Sequence, residues 1–279
     1  MKDDSRSSVR WRLRSLPAFA KWVFLAEAEE KMSIRTVLLA ATLILSAALP
    51  HKALAQWSFD AEFGLAFQNY NEVRIPNEGG TLFDFNKDFD LEGPVLPFRI
   101  RVGYSLNEKN HFFALYAPLT VRYSGAAPRD IQFEDLLFAE GSDIDGLYRF
   151  NSYRLTYRRD LLITDHWVLG LGFTAKIRDA RVQLESQGVI DRSDDFGFVP
   201  LLHLYAAYRS GPWQVYFEGD GLAGGPGRAF DLFGGALYQI DDHIQAKAGY
   251  RLLEGGANVS QVYNFTLVQF AIVGLFITI

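Results

Sequence analysis

Charged residues in this chain recur at intervals of two. Asp60 and Glu62, Arg99 and Arg101, Lys176 and Arg178, and Glu218 and Asp220 are each separated by one residue, and Arg154 and Arg158 by three. In an extended strand residues i, i+2 and i+4 project from one face, so each pair would present its charges to a common side. Opposite charges gathered in this way form an ion-pair network where they are enclosed, or line a polar passage where water reaches them. Acid–base chemistry is the other option, because His is the usual base for a Ser nucleophile. The His residues are His51, His111, His166, His203 and His243, and there is no Cys. His111, His166 and His243 fall beside turn signals, where the residue type is explained by the turn, and His203 lies within an alternating segment.

The elements that must position these residues are strands. From Trp57 the chain alternates Trp57, Phe59, Ala61, Phe63, Leu65 and Phe67 with Ser58, Asp60, Glu62, Gly64, Ala66 and Gln68, and the period of two recurs to the C-terminus. Residues 31–55 have a different character. Basic Lys31 and Arg35, an apolar run Thr36 to Leu49, Pro50 and the tripeptide Ala53-Leu54-Ala55 form a secretory signal with cleavage before Gln56. The run has only 14 positions, and crossing roughly 30 Å of hydrocarbon takes about 20 apolar residues, so a helical anchor is not expected. Met32 precedes the signal directly, which makes 1–31 an upstream extension, 32–55 the signal peptide and 56–279 the single folded domain. The leader carries 9 of the 28 Lys and Arg and 5 of the 33 Asp and Glu, which leaves 19 against 28 and a formal charge of −9. So acidic an exported domain is a poor nucleic-acid binder.

Turn signals divide the domain into ten strands, near 57–70, 95–106, 111–123, 147–162, 167–182, 196–209, 213–223, 229–240, 244–254 and 264–279, with eight as the alternative if Gly221 to Gly227 separates no two strands. Connections alternate between short ones, such as Asn107 to Asn110 and Ser210 to Pro212, and longer ones near 77–94, 124–146, 186–195, 224–228 and 255–263. Following one parity, Trp57, Tyr104, Phe113, Tyr157, Trp167, Tyr208, Trp213 and Tyr238 stand beside the short turns, the placement of an interfacial aromatic girdle. The opposite parity collects Asp60, Glu62, Arg99, Arg101, Arg122, Arg154, Arg158, Lys176, Arg178, His203, Arg209, Glu218, Asp220, Asp231, Lys247 and Arg251. A ten-strand barrel is narrow, so these side chains are expected to plug the lumen by mutual pairing. The ten basic and five acidic residues in this set leave an anion-preferring pore as the alternative. Arg at outward Leu171 or Phe217 should be costly and Gln at inward Thr174 milder.

The signal, the strand count, the girdle and the strand running to the last residue resemble the small bacterial outer-membrane β-barrel proteins, over Gln56 to Ile279. That resemblance implies a closed antiparallel transmembrane barrel in the outer membrane, with both termini periplasmic and the long loops outside. It also implies assembly machinery, periplasmic chaperones and outer-membrane lipids, lipopolysaccharide included, as partners. The chain departs from such barrels in ending Phe276-Ile277-Thr278-Ile279 rather than in an aromatic residue. Omptin proteases share the ten-strand count, and barrel lipases use a Ser with a His near the extracellular rim or outer lipid face. No His here is expected at either place, so a structural or surface-interaction role is expected over an enzymatic one. The first long loop carries Asp84, Asp88, Asp90 and Glu92, and the second Asp130, Glu134, Asp135, Glu140, Asp143 and Asp145. Their oxygens suit hard cations, but no EF-hand spacing, phosphate-binding Gly motif or metal cluster is present, and no cofactor is expected. Apolar Leu82, Phe83, Phe85, Phe89, Leu136, Leu137 and Phe138 among them imply loops that fold back.

Overall fold

The computed structural model describes residues 56–279; the stretches expected to be an upstream extension and a signal peptide lie outside the described residues. Ten strands form the barrel: β1 (Gln56–Arg74), β2 (Phe98–Asn107), β3 in two pieces (Asn110–Ala117 and Thr120–Ala126), β4 (Asp143–Ile163), β5 (Trp167–Ser186), β6 (Val189–Ser210), β7 (Trp213–Gly224), β8 (Gly227–Gln239), β9 (Ile244–Asn258) and β10 (Tyr263–Thr278). Each pairs antiparallel with its sequence neighbours, and β10 returns to β1 from Ser58↔Thr278 to Arg74↔Tyr263, so the sheet closes without an edge. Closure pairs the strands on both sides through the turn-end part of the barrel, the condition for placing a sheet in hydrocarbon. Above Phe63 the free side of β1 pairs only with residues of the first long loop, at Ala66, Glu72 and Val73.

The outer surface is layered. On β5 the outward residues Trp167, Leu169, Leu171, Phe173 and Ile177 are exposed and apolar, and from Asp179 and Arg181 onward they are polar. Ten residues at about 3.3 Å each, tilted by about 40°, make an apolar band about 25 Å tall. Above it Arg149 meets Asp179 at 2.7 Å, and Arg181 grips Asp194 through Nε at 2.5 Å and Nη2 at 3.1 Å. The bonded Arg181 guanidinium holds the Asp194 carboxyl below the usual carboxylate range. At the opposite end Asp241 accepts the N–H groups of His243 and Ile244 at 2.8 and 2.9 Å, which also lowers its carboxyl, so this turn loses that support as pH falls through the depressed value.

Three of the five connections expected to be long are short. β5 and β6 continue to a two-residue turn at Gln187 and Gly188, both in the left-handed region with φ of 52° and 79°, the pairing of signs that a tight hairpin needs. Residues 189–195 read as a loop because they are charged, but they are strand residues standing above the apolar band, where polar side chains meet water. The connections at 225–226 and 259–262 are short as well. Only 75–97 and 127–142 are long, and these fold back over the barrel end. Phe83, Phe85 and Phe89 of the first meet Phe133 and Phe138 of the second, with Val73, Val121, Tyr123, Ile144 and Tyr148 from the wall. Phe85 stacks on Tyr123 at 4.6 Å and meets Phe83 edge-on at 5.1 Å. A short helix, α1 (Phe85–Asp88), is capped by Asp84, whose side chain accepts from Asn86 N. The barrel end thus carries an apolar cork, stabilised by burial of aromatic rings.

Candidate functional site

Beneath the cork the lumen is crossed by an ionic lattice. Asp231 on β8 is the hub: its Oδ1 accepts from Arg251 at 2.6 Å, and its Oδ2 from Arg154 at 2.5 Å and Arg99 at 3.0 Å. Glu62 on β1 joins Arg251 at 2.7 Å, Lys247 at 2.5 Å and Arg99 at 3.3 Å. Asp60 holds Lys247 and Arg101, each at 2.8 Å, and Arg101 is also paired with Glu218. Asp220 accepts from Arg154 at 2.9 Å, from Thr174 at 2.7 Å and meets His203 Nδ1 at 2.8 Å. Five cations face five carboxylates, drawn from six strands. Alternation explains how they meet: every member lies on the inward parity of its strand, and the antiparallel ladder sets their heights.

The other lumen residues expected from sequence fall outside this lattice. Arg158 pairs with Asp160 at 2.8 Å, Arg178 with Asp195, and Arg209 bonds Gln214 at 2.9 Å near the turn end. Asp160 and Asp195 are inward residues that the sequence reading left out, one at a strand end and the other within a presumed loop. Counting them, and removing Arg122, which faces outward, leaves nine basic residues against seven acidic, an excess of two rather than five, and weakens the argument for anion preference.

Two assignments on β3 are corrected. Arg122 is exposed on the outer surface, and Phe113 is buried in the lumen beneath Arg101 and Arg158, whose guanidinium carbons lie 5.0 and 5.3 Å from its ring centre. Adjacent Phe112 and Phe113 make the parity of this strand ambiguous. The inner ring is selected because it packs against two guanidiniums, a favourable cation–π arrangement. Phe112 takes the outward place and meets Tyr157 at 5.2 Å. The remaining aromatics expected near the short turns form cross-strand pairs: Trp57 with Tyr104 at 4.9 Å, Trp167 with Tyr208 at 5.0 Å and Trp213 with Tyr238 at 4.8 Å. Thr174 is corrected too. It is 1 % exposed and bonded to both Asp220 and Thr156, so Gln there would collide with the lattice rather than be mild.

Lys176 is the exception to pairing. It is 2 % exposed, forms no ion pair among the described residues, and places Nζ 4.6 Å from the centre of the Phe150 ring. An unpaired buried ammonium is costly. Lys176→Met is therefore expected to stabilise the barrel by about 1 kcal/mol or more, read from urea unfolding in lipid vesicles. Destabilisation by Met would mean that the ammonium has a partner.

Three of the ten loop acids, Asp84, Asp88 and Asp130, bond within the chain, and the strand residue Asp191 bonds the second loop. Asp84 accepts from Asn71 N and Asn86 N, Asp88 pairs with Arg129 at 2.9 Å, Asp130 accepts from Glu140 N, and Asp191 from the N–H groups of Asp135 and Leu136. Among the described residues no group of three or more His, Asp or Glu is placed to hold a metal ion.

His111 lies where the sequence placed it, next to the turn at 108–109, but its ring points inward. It bonds Ser105 and Asp160 in a cavity of about 440 Å³ at the turn end, below the lattice. The signal was available in the parity of residues 154, 156, 158 and 160.

A closed sheet with an apolar outer band, an aromatic rim and its charges turned inward defines an integral membrane β-barrel. Comparison with solved structures agrees on the fold, that of bacterial outer-membrane β-barrels. The outer-membrane protease OmpT from Escherichia coli matches at a TM-score of 0.51 and 11% identity, over 80% of this chain and 97% of that one. Ail, the attachment invasion locus protein of Yersinia pestis, matches at 0.36 and 12%, over 80% and 99% of the two chains. Neisserial surface protein A matches at 0.31 and 15%, over 80% and 96%. No protein-family model matches the chain, and no curated relative matches it in sequence.

Proposed function

We propose that this chain is a closed, non-conducting barrel of the bacterial outer membrane with a structural or surface-interaction role. Its termini and short turns face the periplasm, and its two long loops face outward. The observation that carries the reading is the lattice of five cations and five carboxylates across the lumen, among whose side chains lies a cavity of only about 20 Å³. A space of that size holds about one water molecule and gives no continuous aqueous path. The orientation follows from the overhang of β5 and β6 at the loop end and the short turns at the other.

The partner-facing features are at the loop end. The surface there carries exposed Leu82, Leu137, Val189 and Ile190 beside exposed acids such as Asp90, Asp135 and Glu140. Asp191 bonds the backbone of Asp135 and Leu136 and so joins the β5–β6 hairpin to the second loop. Exposed apolar side chains on this tip, above the hydrocarbon layer, suit contact with a surface partner. Conductance of the purified protein in a planar bilayer tests the closed lumen.

A further inference from the structure

Ser105 on β2 and His111 on β3 are cross-strand partners, and both side chains enter the cavity at the turn end. Ser105 Oγ lies 2.8 Å from His111 Nδ1, and His111 Nε2 lies 3.0 Å from Asp160 Oδ2. The carboxylate is held in turn by Arg158, whose Nε is 2.8 Å from Asp160 Oδ1. An ionised carboxylate can only accept a hydrogen bond, so Nε2 carries the ring proton. Nδ1 of the neutral ring is then left as the acceptor for the Ser105 hydroxyl. Two neighbours fix this arrangement. The His111 ring lies nearly parallel to Phe113, at 21°, and Gly170 supplies space that a Cβ would take from Asp160 Oδ1.

The geometry points to a serine-hydrolase site in the periplasmic vestibule, with Ser105 as nucleophile, His111 as base and Asp160 orienting the imidazole, acting on small anionic esters. Hydrogen-bonded in this order, the three groups meet the requirement for activating a hydroxyl: a base within reach of the nucleophile, and a third group that orients the base. The nitrogens are used in the reverse sense to the familiar triad, and either imidazole nitrogen can serve as base. As Ser105 Oγ bonds to the ester carbonyl carbon, its proton passes to Nδ1. Breakage of the carbon–oxygen bond then returns that proton to the departing alcohol. A water molecule repeats the sequence on the acyl-serine and releases the acid, restoring the hydroxyl.

Substrate class follows from the walls. Arg101, Arg158 and Arg209 line the cavity and no carboxylate does. Arg101 and Arg158 already bond carboxylates set behind the wall, whereas Arg209 bonds neutral Gln214 and is the cation free to take an anionic group. Backbone N–H groups of the strands are engaged in the ladder, so stabilisation of the tetrahedral oxyanion falls to the guanidinium N–H groups.

The test uses the full-length barrel in detergent micelles, treated with diisopropyl fluorophosphate and followed by intact mass and peptide mapping. The expected result is a single adduct on Ser105, absent in Ser105→Ala and formed about 100-fold more slowly or worse in His111→Gln. The heat-dependent gel shift of each variant establishes that its barrel is folded. In Arg209→Gln the ratio of kcat/KM for p-nitrophenyl succinate to that for uncharged p-nitrophenyl acetate should fall about tenfold, the loss of one hydrogen bond to a charged group. A wild-type protein that stays unmodified, an adduct on another residue, or labelling of folded His111→Gln at the wild-type rate would overturn the assignment. None of these outcomes bears on the closed lumen, which conductance tests separately.

Discussion

Asp231→Ala is expected to be the most damaging single substitution in the lumen, lowering stability by about 3 to 5 kcal/mol. The carboxylate it removes takes hydrogen bonds from Arg251, Arg154 and Arg99, and the remaining acids are already committed. Glu62 is shared between Arg251, Lys247 and Arg99, and Asp220 between Arg154, Thr174 and His203. Three guanidiniums would then stand in a low-dielectric interior with too few counter-charges, and unpaired buried charge is the expensive case. Asp194→Ala gives the comparison, because it deletes a carboxylate with equally short Arg contacts outside the membrane band. There water screens the pair, and the loss should stay within about 1 kcal/mol. Urea unfolding of both variants in lipid vesicles measures the contrast; equal losses would mean that the lumen is as wet as the surface.

Phe217→Arg should cost about 2 to 4 kcal/mol. Phe217 is exposed on the lipid face, paired across the strands with Ala206 and Gly234, so no counter-charge is near enough to neutralise an added guanidinium. Gln183→Arg lies on the outward parity of β5 but above the apolar band, and should cost no more than about 1 kcal/mol. Unfolding free energies in vesicles would show this depth dependence. If the two substitutions proved equivalent, the band between Trp167 and Ile177 would not be the hydrocarbon-facing layer.

The barrel was legible in the sequence because each strand writes its two environments in alternation. Asp60 and Glu62, or Arg99 and Arg101, cannot face hydrocarbon, and their parity fixed the inner face. Reading failed where both faces carry similar residues. Phe112 and Phe113 are adjacent aromatics, and only the inward guanidiniums of the two neighbouring strands, β2 and β4, decide which ring turns inward. It failed again where a strand leaves the membrane. Asp191, Arg192, Asp194 and Asp195 look like a loop because above the apolar band a strand needs no apolar face. The Ser105, His111 and Asp160 cluster was hidden for a related reason, since Ser105 and His111 meet through a pairing register set by the turn at 108–109. Asp160 joins them through the neighbouring strand, across a space that Gly170 leaves open.

Steady conductance of the wild-type protein in a planar lipid bilayer tests the closed lumen most directly. A lattice that balances five cations against five carboxylates, capped by the aromatic cork of the two long loops, predicts a membrane indistinguishable from one without protein, apart from rare transient events. Stable, reproducible open levels in the wild type would contradict it, and would mean that the charged side chains line a path through the barrel rather than close it.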